Sequence, residues 1–281
     1  MNENTEVDTP RIIDRRNALR LIAGASATVL VACSSKAKTT GAGASSSASG
    51  ASNASGASSS SSAKTDSSSA STDGSCTVVP GETAGPYPGD GTNGPNILAE
   101  DGVVRSDMTK SLGTGTAATG IPLSIALTVL DSSGCKVMPD AAVYVWHADR
   151  TGSYSMYSDG IEDENYLRAV QPTNSSGTAT FESIFAGCYA SRWPHIHFEV
   201  FASVADAVKG TNRLSTSQIA LPAAPCDLVY AVDSYSTSAA NFSGQSIDQD
   251  MVFGDDGGIH QLGTVTGSVA DGFRVALTIA V

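Results

Sequence analysis

The chain is short of positive charge. Its 281 residues carry 16 Lys and Arg against 28 Asp and Glu, a net charge of −12. That balance excludes recognition of a nucleic-acid backbone and charge-driven adhesion to an anionic membrane, both of which need clustered cations. Long apolar runs are also missing. The best candidate, the uncharged stretch Leu21–Ala32, has twelve residues, whereas crossing a bilayer takes about 20. Cysteine is scarce: there are five, and no two stand at Cys-x-x-Cys spacing, which argues against a thiolate metal site.

The front of the chain is occupied by something other than a fold. Arg15-Arg16-Asn17-Ala18-Leu19-Arg20 resembles a twin-arginine motif, and Leu30-Val31-Ala32-Cys33 resembles a lipobox. Residues 1–33 thus read as an export segment. Cys33 becomes the acylated N-terminus, the sole contact with the membrane, and the protein is tethered on the extracytoplasmic side. Residues 34–75 are nearly all Ser, Ala, Gly and Thr. Such a segment buries too little to offset its ordering entropy, and reads as a flexible stalk spanning roughly 35 Å. The first 32 residues hold four basic and four acidic side chains, so the exported part keeps the whole negative excess.

Residues 76–281 remain for one domain with a real core. Pro122–Val129, Ala141–Trp146, Tyr166–Thr173, Gly177–Ile184 and Trp193–Phe201 are apolar or alternating and rich in β-branched residues, which predicts strands. Two more are expected in Gly263–Val281, around Ala270-Asp271-Gly272. Asp131-Ser132-Ser133-Gly134 has turn chemistry, and Asn174-Ser175-Ser176-Gly177 predicts a hairpin turn. The single expected helix is short, near Ser203–Lys209. Strands separated by turn clusters predict an all-β fold, an antiparallel β-sandwich with long site-bearing loops. The exported cysteines Cys76, Cys135, Cys188 and Cys226 suggest two disulfides. Three connectivities are open, of which Cys76–Cys135 with Cys188–Cys226 is the expectation.

Chemistry concentrates in Tyr189-Ala190-Ser191-Arg192-Trp193-Pro194-His195-Ile196-His197-Phe198. In an extended strand, side chains alternate faces, so His195 and His197 project together, ~7 Å apart at Cα. Two imidazoles so placed can converge on one metal ion. Glu199 falls on the same face. A set of His195, His197 and Glu199 for a divalent metal is therefore open as well.

The order of elements around this stretch carries a resemblance. Gly85-Pro86-Tyr87, Asp140 to Trp146, Gly152-Ser153-Tyr154, Tyr166-Leu167-Arg168 to Thr173, Gly187-Cys188-Tyr189 and Arg192 to Phe198 follow one another. The set closely resembles the intradiol ring-cleavage dioxygenases, the catechol and protocatechuate dioxygenases, from about Pro80 to Gln218. The resemblance implies a non-haem Fe(III) held by Tyr154, Tyr189, His195 and His197, with Arg192 and Gln218 as catalytic residues. Tyr157 competes for the place of Tyr154 but lacks the preceding Gly-x, and His147 and His260 fall outside the set. The implied reaction cleaves a catechol between its hydroxyl-bearing carbons with O2, giving a muconate-type diacid. Charge supports this donor set. Fe(III) is a hard cation that ionises phenols, and two tyrosinates with one hydroxide cancel its charge of +3. A catecholate dianion could replace the hydroxide and one tyrosinate with no net change.

The sequence departs from the family pattern at Pro88 and Cys188, and a stalk stands where cytoplasmic members carry helices before Gly-Pro-Tyr. The ring substituents of the substrate are therefore open, and an exported location favours a bulky or extracellular catechol. A lipid-tethered, non-catalytic sandwich that retains a metal site is the alternative function.

Overall fold

The structure, a computed structural model, describes residues 76–281. The expected export segment, the lipidated Cys33 and the Ser/Ala/Gly stalk lie outside the described residues. Two sheets make up the fold. In the first, β1 (Pro122–Asp131) is central. On one edge it pairs with β5 (Thr178–Ile184) and, at its end, with β2 (Lys136–Val137); on the other it pairs with β9 (Gly272–Ala280). β8 (Thr264–Ser268) completes this sheet beside β9. The second sheet runs β4 (Arg168–Pro172), β3 (Ala142–Trp146), β6 (His195–Phe201), β7 (Arg213–Ala220).

The all-β sandwich is as expected, with one amendment to its antiparallel character. β1 and β9 run parallel over Leu123–Leu130 and Phe273–Ala280, while the other strand pairs are antiparallel. Alternation explains the core. Leu123, Ile125, Leu127 and Val129 of β1 meet Val143 and Val145 of β3 and Ile196, Phe198 and Val200 of β6 between the sheets. The opposite face of the second sheet is also buried. Tyr144, Trp146, Val170 and Phe201 pack there under Ile97, Leu98, Val103 and Tyr154, which come from segments with little regular structure. A two-sided burial of this sheet places polar side chains on a face closed from water.

Three further expectations are corrected. Asn174 to Gly177 does turn, with the Gly177 N–H donating to Asn174 O at 2.8 Å. It joins β4 to β5, which belong to different sheets, so it is a corner and not a hairpin. The short helix α1 (Val204–Ala207) is present, capped by Ser203 Oγ accepting from the Asp206 N–H. It is joined by α2 (Ala223–Tyr230) and α3 (Ser236–Phe242), which the sequence reading left out. Finally, Cys76–Cys135 is a disulfide, whereas Cys188 and Cys226 are free and buried. Both thiols pack in the apolar core as small hydrophobes. The Cys188 thiol turns towards the Arg192 carbonyl at 3.5 Å, and burial pushes it up to about 12. No described helix is long and apolar enough to cross a membrane.

Candidate metal centre

The covered face of the second sheet carries one row across all four strands. Arg168 (β4) stands opposite Trp146 (β3), Trp146 opposite His197 (β6), and His197 opposite Gln218 (β7). His195 lies two positions along β6 on the same face. The Trp146 indole stacks on the His197 ring at 4.8 Å with an interplanar angle of 4°. Gly85 approaches from above, where a Cβ would sit 3.2 Å from His197 Cε1. The His197 imidazole is thus wedged against rotation.

Their nitrogens converge. His195 Nε2 and His197 Nε2 are 3.1 Å apart. His195 Nδ1 lies 2.6 Å from the Trp193 carbonyl and so carries its proton there, leaving the Nε2 lone pair free. Two metal–imidazole bonds of about 2.1 Å at a right angle would separate the nitrogens by about 3.0 Å. Burial holds His195 down to about 3, helped by the Arg192 cation, and holds His197 well below the ordinary imidazole value. Both rings are therefore neutral, the form that ligates.

The tyrosines arrive on two loops. Tyr154 follows β3 in a turn built on Asp149 Oδ1, which accepts from the Thr151 and Ser153 N–H groups at 2.8 and 3.1 Å. Tyr189 precedes β6. The Tyr189 ring stands edge-on to His195 at 5.5 Å and to Tyr154 at 5.6 Å, and Tyr154 is 6.3 Å from His197. The Tyr154 hydroxyl is buried with no hydrogen-bond partner. Burial raises its pKa well above the ordinary value, and the neighbouring Tyr189 adds to the rise. Burial also raises Tyr189, although the Arg192 guanidinium, whose Nη1 donates to its Oη at 3.4 Å, pulls the other way. An orphaned phenol, a second phenol and two convergent imidazole nitrogens form a donor set that suits a hard trivalent cation, which would ionise both phenols. Tyr157 is engaged elsewhere, accepting from the Gly89 N–H at 2.9 Å.

Arg192 and Gln218 join this group. Arg192 Nη2 donates to Gln218 Oε1 at 2.8 Å, and Gln218 Nε2 donates to the Thr83 carbonyl at 2.9 Å. Asp250, which the sequence reading missed, takes Arg192 Nε on Oδ2 at 2.9 Å and Nη2 on Oδ1 at 3.2 Å. Asp250 also accepts the Trp193 and Val252 N–H groups at 2.6 and 2.8 Å. Burial alone would raise its pKa, but these donors hold it below the usual carboxylate range. Arg168 is a second buried cation. It donates to the Tyr87 and Pro88 carbonyls at 2.9 and 3.0 Å and to Ser155 O at 2.9 Å, bracing both the Gly-Pro-Tyr segment and the Tyr154 loop.

The carboxylate set is not assembled. Glu199 turns to Arg213 at 2.6 Å and Thr216 at 3.2 Å. Among the described residues no three His, Cys, Asp or Glu side chains form a metal-holding group. His147 bonds Ala148 O and Ser183 Oγ at 2.8 and 2.7 Å, away from the donor set.

Fold and site together define an all-β sandwich whose covered sheet face gathers two tyrosines and two histidines. An intradiol ring-cleavage dioxygenase from Tetranychus urticae is similar at 26% identity and a TM-score of 0.59, over 73% of this chain and 94% of that one. A second dioxygenase crystal structure is similar at 24% identity and a TM-score of 0.58, over 73% and 94% of the two chains. The dioxygenase domain of a dioxygenase–carbohydrate-binding fusion from Streptomyces sp. SirexAA-E matches at 20% identity and a TM-score of 0.48, over 73% and 98%. No protein-family model matches the chain, and no curated protein does. The resemblance read from the ordered residues is thus found in the fold as well: the chain has the fold of the intradiol ring-cleavage dioxygenases, a class of enzymes.

Proposed function

We propose that the protein is a non-haem Fe(III) intradiol dioxygenase that cleaves a catechol-type ring between its hydroxyl-bearing carbons, using O2 and giving a muconate-type diacid. The observation that carries the reading is the 3.1 Å approach of His195 Nε2 and His197 Nε2 beside the partnerless hydroxyl of Tyr154. Tyr154, Tyr189, His195 and His197 would hold the ion. Bound there, ferric iron would supply Lewis acidity towards a catecholate, the chemistry that makes its ring reactive to dioxygen.

The chain's own groups do the rest. A phenolate oxygen at Tyr154 or Tyr189 is a base where a catechol hydroxyl arrives and can take its proton. Arg192, fixed by Asp250 and Gln218, is a preorganised cation beside the site and stabilises negative charge developing on the ring. Trp146, Gly85 and the covering segments exclude water, which strengthens that charge interaction. Both oxygen atoms of O2 enter the product, so no external reductant is required. We place the reaction outside the cytoplasm, on a domain tethered through Cys33 and the 34–75 stalk, where a bulky or extracellular catechol is accessible.

The test is direct. The full chain, purified with iron and given catechol under air, is expected to form muconate and consume one O2 per ring. A red-brown protein that binds catechol without cleaving it would overturn the catalytic reading in favour of a binding module.

A further inference from the structure

The two tyrosines come from loops outside both sheets; Arg168 of β4 braces the Tyr154 loop at Ser155, and a side chain outside both sheets ties the two loops to each other. Ser238, completely buried in α3, donates from Oγ to the Arg150 carbonyl at 2.7 Å and accepts from the Cys188 N–H at 2.9 Å. Arg150 stands just ahead of Gly152-Ser153-Tyr154, and Cys188 immediately precedes Tyr189. From the same helix, Asn241 Nδ2 donates to the Cys188 carbonyl at 2.9 Å. Upstream, the Tyr230 and Tyr235 hydroxyls donate to the Ala186 and Phe185 carbonyls at 2.9 and 3.0 Å. The helical segment thus satisfies the backbone from Phe185 to Cys188, but only Ser238 reaches both loops.

Space is as tight as the bonding. A Cβ on Gly152 would lie 2.5 Å from the Cys188 carbonyl oxygen, and one on Gly187 would lie 2.8 Å from Ser238 Oγ and overlap the Asp149 carbonyl. The two Gly-x-Tyr loops touch through their glycines with the Ser238 hydroxyl set against the contact. One small group therefore spans the chain at the point that decides how far apart the two phenols stand.

We propose that Ser238 is a positioning residue that holds the Tyr154 and Tyr189 loops at the separation one cation requires. The proposal rests on the ferric reading above. Removing the hydroxyl leaves the Arg150 carbonyl and the Cys188 N–H without their partner and frees the loops to part. Groups that orient metal ligands from outside the coordination shell typically change metal affinity about 10–100-fold when removed.

The experiment compares wild type, Ser238→Ala and Ser183→Ala in the full chain. Ser183 supplies a comparable buried hydroxyl bond, to His147, away from the site. Fe(III) affinity, the tyrosinate-to-iron absorption band and the melting temperature with and without iron are measured. Ser238→Ala is expected to lose about 10–100-fold in affinity, to shift or weaken the band, and to gain less from iron in melting temperature. Ser183→Ala is expected to lower both melting temperatures together and leave affinity and band unchanged. Ser238→Cys, which keeps a group of similar size but a weaker donor and acceptor, serves if Ser238→Ala does not fold and is expected to shift the band in the same direction. A Ser238→Ala or Ser238→Cys protein with wild-type affinity and band overturns the inference alone. A wild-type chain that takes up no iron overturns the ferric reading and this inference with it.

Discussion

A buried guanidinium beside the proposed cation site needs a reason to be there. Arg192 lowers the basicity of His195, and its own charge would repel an incoming ion. Asp250 resolves this. The fork from Arg192 Nε and Nη2 to the two Asp250 oxygens neutralises the pair and aims the remaining Nη1 at Tyr189. Burial lowers Arg192's hold on its proton, and the Asp250 bonds more than restore it, so the charge persists at every working pH. Asp250→Asn keeps the shape and removes the charge. It leaves the Arg192 cation unopposed and less firmly held, so iron retention is expected to weaken and turnover to fall, each by on the order of 10–100-fold. Steady-state muconate formation alongside iron content measures this, and an unchanged kcat would detach Asp250 from the chemistry. Tyr189→Phe is the complementary change: part of the visible absorption should bleach and iron retention should weaken. The difference between these residues is also a difference in legibility. Tyr154, Tyr189, Arg192, His195 and His197 sit in short local patterns, so their types and spacing announce them. Asp250 lies 58 positions from Arg192 and belongs to no motif. With 28 acidic residues in the chain, only the folded packing selects which one meets the arginine.

The elements that carry the donors are a strand and two loops, and their mutual fit rests on glycine. Gly152 has φ +85° and faces the Cys188 backbone, whereas Gly160 has φ +84° and faces nothing within 4 Å. Gly160→Ala therefore reports the cost of left-handed backbone alone, about 1–2 kcal/mol. Gly152→Ala adds a collision with main-chain atoms that cannot step aside as a side chain would. It is expected to lower the melting temperature further than Gly160→Ala and, unlike it, to reduce iron retention. Equal effects in the two variants would show that the loop–loop contact does not set the site. Strands were legible here because alternation and β-branching write themselves into β1, β3, β5, β6 and β9. Strand β7 was not, since its first half, Arg213 to Thr216, is exposed or half-buried and polar apart from Leu214. Helices α2 and α3 were obscured by Pro225 in the first turn and by the lack of charged faces, Asp227 being their one charge. Their purpose is to serve the Phe185–Cys188 backbone, a role that leaves no periodic trace. The Asn174 turn shows the same limit: turn chemistry fixes the chain reversal, but not which sheet receives the next strand.

At the scale of the whole molecule, the two sheets are joined by polar contacts as well as by the core. His147, just past β3 in the second sheet, lies 2.7 Å by its Nε2 from Ser183 Oγ on β5 of the first, while Nδ1 donates to Ala148 O at 2.8 Å. This pairing uses the neutral ring, with Nε2 accepting the serine proton. Burial lowers its pKa to about 4, against the opposing pull of the Ala148 carbonyl and Asp149. The unfolded chain binds that proton near pH 6.5 and the folded chain does not. Between about pH 6.5 and 4 the unfolded state therefore holds more protons, and stability falls as pH falls. The full loss from this residue is on the order of 3 kcal/mol, complete by about pH 4. Buried His195 and His197 add to the loss in the same direction in the iron-free protein. Asp250 contributes its own, later loss, because its depressed pKa keeps the pair with Arg192 intact until pH drops below the ordinary carboxylate range. Urea unfolding of iron-free protein at steps from pH 7.5 to 4 should show midpoints declining from about pH 6.5 downward. His147→Gln, which can still offer an amide to the carbonyl or the serine, should flatten that decline by close to one proton's worth while lowering stability at neutral pH. A midpoint that holds level from pH 7 to 5 would mean that water reaches His147 and that the seam between the sheets is open there.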